Sequence, residues 1–202
     1  MKAYVLGLTG SIGMGKTTTA AMFAEAGAAV WDADRAVHRL YGPGGAAVPA
    51  VAALAPDAAR GGAVDRASLR AALEADPSLF PRLEAAVHPL VAADRARFLA
   101  LAPTGIVLLD VPLLFEKGID KECDGVAVAS APAHVQAARL AARGLSPDEA
   151  ALLLSRQMPD AEKRARATWV VPTDTFEAAR LAVRRVMADI EGGRAPRRSP
   201  HA

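Results

Sequence analysis

The stretch Val5-Leu-Gly-Leu-Thr-Gly10-Ser-Ile-Gly-Met-Gly15-Lys-Thr-Thr18 decides how this chain is read. An apolar run from Tyr4 to Leu8 leads into Gly10-x-x-x-x-Gly15-Lys16-Thr17, and a helical pattern follows at once. Strand, glycine loop and helix in that order are a phosphate-binding loop in its required context. The glycines let the backbone wrap tightly enough for successive N–H groups to point at phosphate oxygens. The helix starting near Gly15 adds the positive end of its dipole. Lys16 offers an ammonium to the β- and γ-phosphates, and the Thr17 hydroxyl is suited to ligate Mg²⁺.

The 202 residues suffice for one domain with a real core. With 52% hydrophobic and 23% charged residues the composition is that of a globular protein. The net charge is +2, and Arg194, Arg197 and Arg198 cluster at the end, so the body is near neutral and a nucleic-acid partner is not indicated. Aromatic residues at 4% argue against a base-stacking surface as well. The single cysteine, Cys123, rules out an intrachain disulfide and reads as a loop residue in a reducing, cytoplasmic setting. No apolar stretch is long enough to span a bilayer, and the run after Lys2 is too short for a secretory signal.

Outward from the loop, Thr17 to Ala26 reads as a helix stopped by Gly27. Ala28 to Trp31 reads as a short strand ending in Asp32-Ala33-Asp34, and Arg35 to Tyr41 as a helix. After the break at Gly42-Pro43-Gly44-Gly45 only helical patterns follow: Ala46–Ala55, Asp65–Ala75, Ser78–Ala86 and Pro89–Leu101, with His88-Pro89 at a turn. Thr104 to Val111 is a continuous apolar strand that runs into Pro112-Leu-Leu-Phe-Glu116, and Gly125 to Ala129 is another strand. Helices are expected at Pro132–Ala142 and Pro147–Met158, the second with Ser146 and Glu149 at capping-box spacing. A last strand at Trp169–Val171 and a helix at Phe176–Ile190 precede a Gly/Pro/Arg-rich tail, residues 192–202, that reads as disordered.

Strands alternating with helices behind a phosphate loop predict a three-layer α/β/α fold with a parallel central sheet. Ligands collect at the carboxyl ends of such strands, which puts the loop, Asp32 and Asp34, and the turn from Asp110 to Glu116 along one rim. Phosphoryl transfer needs alignment, charge neutralisation and a group to receive the nucleophile's proton. Asp34 is the candidate for that last role and Asp32 its competitor; in an extended segment both carboxylates would point to one side. The plainer reading makes Asp32 a helix cap and leaves Asp34 solvated in the first turn. Arg139 and Arg143, four apart, share a helix face, and with Arg156 and Lys163 form a basic set able to close over ATP, or else a solvated helix pair. His88 reads equally as a substrate contact or as a buried or capping histidine. No His/Cys cluster has metal-site spacing.

These motifs in this order resemble the dephospho-CoA kinase family from about Tyr4 to Ile190. The resemblance rests on the glycine loop from Gly7, Asp32-Ala-Asp34, His88-Pro-Leu, Val111-Pro-Leu-Leu-Phe-Glu116, the Arg139/Arg143-Gly-Leu-Ser segment, and Arg156-Gln157 followed by Lys163. It implies a P-loop kinase domain over residues 1–191, with its core at about 1–41, 103–131 and 168–191, a helical CoA-binding region at about 42–102 and a helical lid at about 132–163. It further implies ATP and Mg²⁺, a small-molecule acceptor (dephospho-CoA) phosphorylated at its ribose 3′-hydroxyl, and a monomer or weak homo-oligomer. Carried over by position, Gly13, Met14, Gly15, Lys16, Thr17 and Thr18 bind ATP, Thr17 also meeting the metal. Asp34 is the acid/base residue, and Lys16, Arg139 and Arg143 act on the phosphates. Thr9, Asp32, Asp34, His88 and Leu113 border the acceptor. The chain departs from the family where Met14 replaces a small residue, and where Thr168, Thr173 and Thr175 replace the usual Asp, Asn and Gly of a loop near the adenine. That loop leaves nucleotide preference open.

Two other readings compete. A related kinase with a nucleoside-monophosphate-like or shikimate-like acceptor would use arginines such as Arg66, Arg70, Arg82, Arg95 and Arg97. A nucleotide-binding regulatory module of the small GTPase type would want an Asn-Lys-x-Asp segment, and none occurs.

Overall fold

The computed structural model describes residues 3–102 and 105–195. Its strands in chain order are β1 (Tyr4–Thr9), β2 (Ala29–Asp32), β3 (Ala59–Arg60), β4 (Ala63–Val64), β5 (Ile106–Asp110), β6 (Gly125–Ser130) and β7 (Trp169–Pro172). The helices are α1 (Lys16–Glu25), α2 (Ala33–Tyr41), α3 (Val48–Leu54), α4 (Arg66–Ala75), α5 (Leu79–Leu101), α6 (Ala133–Ala142), α7 (Pro147–Ser155), α8 (Asp160–Arg166) and α9 (Phe176–Glu191). No described helix is long and apolar enough to cross a membrane.

Every residue of β1 is buried, as an apolar strand covered on both faces requires. It lies at the centre of a five-stranded sheet ordered β2-β5-β1-β6-β7. It pairs in parallel with β5, Leu8 opposite Asp110, and with β6, Thr9 opposite Val128; β6 pairs in parallel with β7. Strand alternation then sorts the side chains. Leu6 and Leu8 join one core with Phe23 of α1 and Val183 and Met187 of α9. Gly7 faces the other way, against Leu114, Cys123 and Val126. This is the predicted parallel sheet flanked by helices. Cys123 is a loop residue, as expected, but its thiol is buried, with Sγ 3.5 Å from the Ile119 carbonyl.

The chain divides into two compact units, one from Met1–Trp31 and Ala102–Ala202, the other from Asp32–Leu101. The second is helical, as its composition predicts, but apart from shifted helix ends it differs in two places. Ser78–Ala86 and Pro89–Leu101 are one helix, α5, with Pro89 inside it. An interior proline costs about 3 kcal/mol. Here Leu83 and Val87 before it and Leu90 and Val91 after it pack into the same core with Val51 and Leu69, and that shared burial keeps the helix whole. His88 is therefore an exposed helical residue, not a turn residue. The other difference is the β3–β4 hairpin, where no strand is expected. Its turn is Gly61-Gly62, with φ of 60° and 76°, the left-handed pair that a two-residue hairpin demands.

In the first unit α8 is an additional helix, and the helix expected to run to Met158 ends at Ser155. The capping box at Ser146 and Glu149 is present in both directions. The start of the tail is ordered: the Arg194 and Ala195 N–H groups donate to the Asp189 carbonyl at 2.8 and 3.0 Å, and Ala195 packs on the core. Asp189 sits one turn back from the helix end, where such carbonyls lack helical partners. The remainder of the tail, residues 196–202, and Thr104 of the expected strand lie outside the described residues.

A Cβ placed on Gly7 would lie 2.7 Å from Leu114 Cδ1 and 2.9 Å from Cys123 Sγ. Gly7→Val is therefore expected to destabilise the protein by about 1–3 kcal/mol, the usual cost of overpacking a core, measured as a lower midpoint in urea.

Candidate active site

The phosphate loop leaves β1 after Thr9 and enters α1 at Lys16, at the carboxyl edge of the sheet. Gly13 and Gly15 hold φ of 80° and 79°, a region glycine enters without penalty. Both are also closely overlaid. A Cβ on Gly13 would meet Gln136 Cγ and Leu140 at 3.2 Å, and one on Gly15 would meet Thr173 Cβ at 3.2 Å. Met14 is buried, and its sulfur accepts the Ala131 N–H at 3.1 Å, so the larger residue fills space under the loop. Thr17 and Thr18 are exposed on the first turn of α1.

Lys16 Nζ lies 2.6 Å from Asp110 Oδ1, with the carboxylate 4% and the ammonium 15% exposed. Asp110 ends β5, level with the last residues of β1 before the loop. It was legible only as part of a rim. An apolar strand ending in an acidic residue was the available signal, and parallel pairing with the loop-bearing strand gives it meaning. Thr9 is fully buried, and its hydroxyl donates to the Pro112 carbonyl at 2.8 Å, which braces from beneath the turn carrying half-buried Leu113.

Arg139 of α6 donates to the Gly13 carbonyl at 3.3 Å and to both the Thr173 hydroxyl, at 3.4 Å, and the Thr173 carbonyl. Its guanidinium is thus seated on the outside of the loop. Arg143 is exposed at the end of α6. Both arginines border a pocket of about 240 Å³ lined also by Gly15, Thr18, Thr175 and Phe176. Lys163, read from sequence as part of the mobile basic set, is fully buried: it meets Glu116 at 3.0 Å and the Pro112 carbonyl at 3.3 Å. A buried ammonium needs such partners, so it anchors α8 to the turn after β5.

The threonines Thr168, Thr173 and Thr175 separate as well. Thr168 precedes β7, at the end of the sheet remote from the loop, where its hydroxyl accepts the Val126 N–H at 3.0 Å. Thr173 follows β7 and donates to the Met14 carbonyl at 2.8 Å, while Thr175 caps α9 through the Ala178 N–H. Only the last two belong to the loop over the phosphate site.

Asp32, Asp34 and His88 fall in the helical unit. The helix α2 starts at Ala33, two residues earlier than expected, so Asp32 and Asp34 do not share one side of an extended segment. Asp32 is the N-cap, its Oδ1 accepting the Arg35 N–H at 3.0 Å. Asp34 is exposed in the first turn, and its carboxylate makes no hydrogen bond or ion pair with the described residues.

A parallel sheet with this loop at its carboxyl edge, a lysine–aspartate pair beneath it and arginines beside it defines a P-loop kinase. Comparison with known proteins narrows the class. The family model described as dephospho-CoA kinase matches residues 4–178, and the chain belongs to that family. It is 60% identical over 191 residues to the dephospho-CoA kinase of Cereibacter sphaeroides, covering 94% of this chain and 97% of the relative. Against the dephospho-CoA kinase of a Jannaschia species it is 53% identical over 192 residues, covering 95% and 99%. A crystal structure from Thermus thermophilus superposes with a TM-score of 0.77 at 33% identity, over 94% of this chain and 99% of that one. The protein is an ATP-dependent kinase.

Burial tends to raise the Glu116 carboxyl, but N–H groups of Met158 and Glu116 itself, together with Lys163, outweigh it and hold its pKa below the ordinary value. The folded state thus binds this proton less readily than the unfolded state, and stability is lost as pH falls through the folded value. Glu116→Gln, which strands the buried Lys163 ammonium, is expected to cost about 3 kcal/mol near neutral pH. The gap to wild type in urea unfolding should narrow below about pH 4.

Proposed function

We propose that this kinase transfers the γ-phosphate of ATP to the ribose 3′-hydroxyl of dephospho-CoA, giving CoA and ADP, as the cytoplasmic last step in making the coenzyme. The observation that carries the reading is the Lys16–Asp110 pair under a glycine loop, in a chain whose residues 4–178 match one kinase family. Gly13 to Thr18 hold the donor's phosphates, and the pocket beside Thr18 and Phe176 takes its nucleoside. The described residues contain no group of three or more His, Cys, Asp or Glu able to cage a metal. An exposed threonine hydroxyl and one buried carboxylate suit instead a Mg²⁺ that arrives with the nucleotide and keeps phosphate and water ligands. Thr17 and Asp110 would hold it, and it would supply charge neutralisation at the phosphates. Lys16 adds a positive charge there, with Arg139 and Arg143 on the lid side.

Asp34 is the residue to receive the proton of the attacking 3′-hydroxyl. Capping engages Asp32, whereas the Asp34 carboxylate has no partner among the described residues. As the oxygen–phosphorus bond forms, the proton passes to Asp34 and the bond to the ADP oxygen breaks. Thr9 holds the turn bearing Leu113 at the acceptor's border, and the family resemblance assigns Asp32 and His88 to the acceptor as well. The helices of residues 42–102 form the CoA-binding region and residues 132–163 the lid.

ADP release from MgATP is to be measured with dephospho-CoA, AMP, shikimate or no acceptor, with GTP as a second donor. Turnover is expected with dephospho-CoA alone; activity with AMP or shikimate instead would overturn the acceptor assignment. Asp34→Asn should lower kcat by about 10²–10⁴-fold with ATP affinity retained. Near-normal turnover would transfer the role to Asp32. Lys16→Ala should weaken both ATP binding and transfer, since it removes the loop's own charge.

A further inference from the structure

Ile12 is held on both sides by lid glutamines. Its N–H donates to Gln157 Oε1 at 3.0 Å, and its carbonyl accepts from Gln136 Nε2 at 2.7 Å. Gln136 lies on α6, and Gln157 follows α7. Gln157 is itself fixed, because the next N–H, that of Met158, donates to Glu116 at 2.8 Å and Glu116 is tied to buried Lys163. The polarity of each contact is set by the backbone: an N–H demands an acceptor and a carbonyl a donor.

In a planar trans peptide the C=O and the following N–H point in opposite directions. Drawing the Ile12 carbonyl towards α6 therefore turns the Gly13 N–H away from α6. The Met14 carbonyl, held by the Thr173 hydroxyl, does the same for the Gly15 N–H. The intervening Met14 N–H is closed onto the Ser11 carbonyl at 3.0 Å. Neither the Gly13 nor the Gly15 N–H has a partner among the described residues. Glycine at positive φ has no steric preference that would hold these planes without help.

We propose that Gln136 and Gln157 are positioning residues of the donor site, which lock the Ile12 peptide groups so that the Gly13 N–H faces the incoming phosphates. This rests on the reading of the loop as the ATP site. The two side chains thereby make loop geometry depend on the lid: α6 sets the carbonyl side of Ile12, and the segment after α7 sets the amide side. Neither glutamine needs to touch the nucleotide.

The test exploits opposite polarity. Gln136→Glu and Gln157→Glu each add one negative charge beside the same residue, so long-range repulsion of ATP is matched. Only Gln136→Glu turns a donor into an acceptor facing a carbonyl; Gln157→Glu keeps an acceptor on the N–H. MgATP affinity is to be measured by titration without acceptor, together with the KM for dephospho-CoA and the thermal midpoint. The expected result is a Kd raised about 10-fold more by Gln136→Glu than by Gln157→Glu, the scale of one lost and one repulsive polar contact. The uncharged Gln136→Met should raise Kd about 10-fold with little change in the KM for dephospho-CoA. Equal Kd values for the two glutamate variants, or an unchanged Kd in Gln136→Met, would overturn the proposal. So would a parallel rise in the KM for dephospho-CoA, the mark of a general structural role. Wild-type protein that binds MgATP but does not turn over dephospho-CoA would instead fail the acceptor assignment and leave this comparison readable.

Discussion

The 2.6 Å contact between Lys16 Nζ and Asp110 Oδ1 joins the first residue of α1 to the last of β5, across the strand that carries the phosphate loop. A carboxylate this deeply buried is costly unless paired, and the lysine's short reach from the loop is what pairs it. The pairing holds the ammonium at the carboxyl edge of the sheet before any nucleotide arrives. It also explains the register, since Asp110 must stand level with the end of β1 for the lysine to meet it. The apolar strands around the pair, with Leu6, Leu8, Leu108 and Leu109 fully buried, keep water from competing for it.

The loop presents a second demand. Its inward N–H groups are useful only if the carbonyls between them are satisfied on the outside. Gln136, Arg139 and Thr173 satisfy three in succession, from α6 and from the end of β7. Thr173 is thus tied to loop geometry: its hydroxyl reaches Met14 and its carbonyl receives Arg139. Arg139 braces the loop in this arrangement, whatever it does for phosphate charge when ATP is bound. The Glu116–Lys163 pair, with the Met158 N–H on the same carboxylate, fastens α8 and the segment before it to the turn after β5.

Much of this was written locally. The glycine loop between an apolar strand and a helix fixed the kind of sheet, because a bound phosphate, a parallel crossover and a helix dipole all require that order. Ser146 with Glu149 announced a capping box that the structure contains, since both partners lie within one turn. Asp32 was open to reading as a cap for the same reason, and it is one. Pro89 misled because its penalty is local while its compensation, the burial of Leu83, Val87, Leu90 and Val91 in one core, is not. Lys163 misled similarly: charge on a short amphipathic stretch reads as solvent-facing until Glu116 and Pro112 come to meet it.

The sequence by itself determined the phosphate loop, the parallel α/β architecture and the two carboxylates, Asp32 and Asp34, that follow the second strand, all carried by residues close together in the chain. Only the tertiary structure decided that Asp110 is the partner of Lys16, that Gln136 and Gln157 grip Ile12, and that Thr173 holds Met14. Those contacts join residues 94, 124, 145 and 159 positions apart. Hydrogen bonds and ion pairs act over about 3 Å, and no pattern along the chain records which distant side chain the folded sheet and helices will bring within that reach.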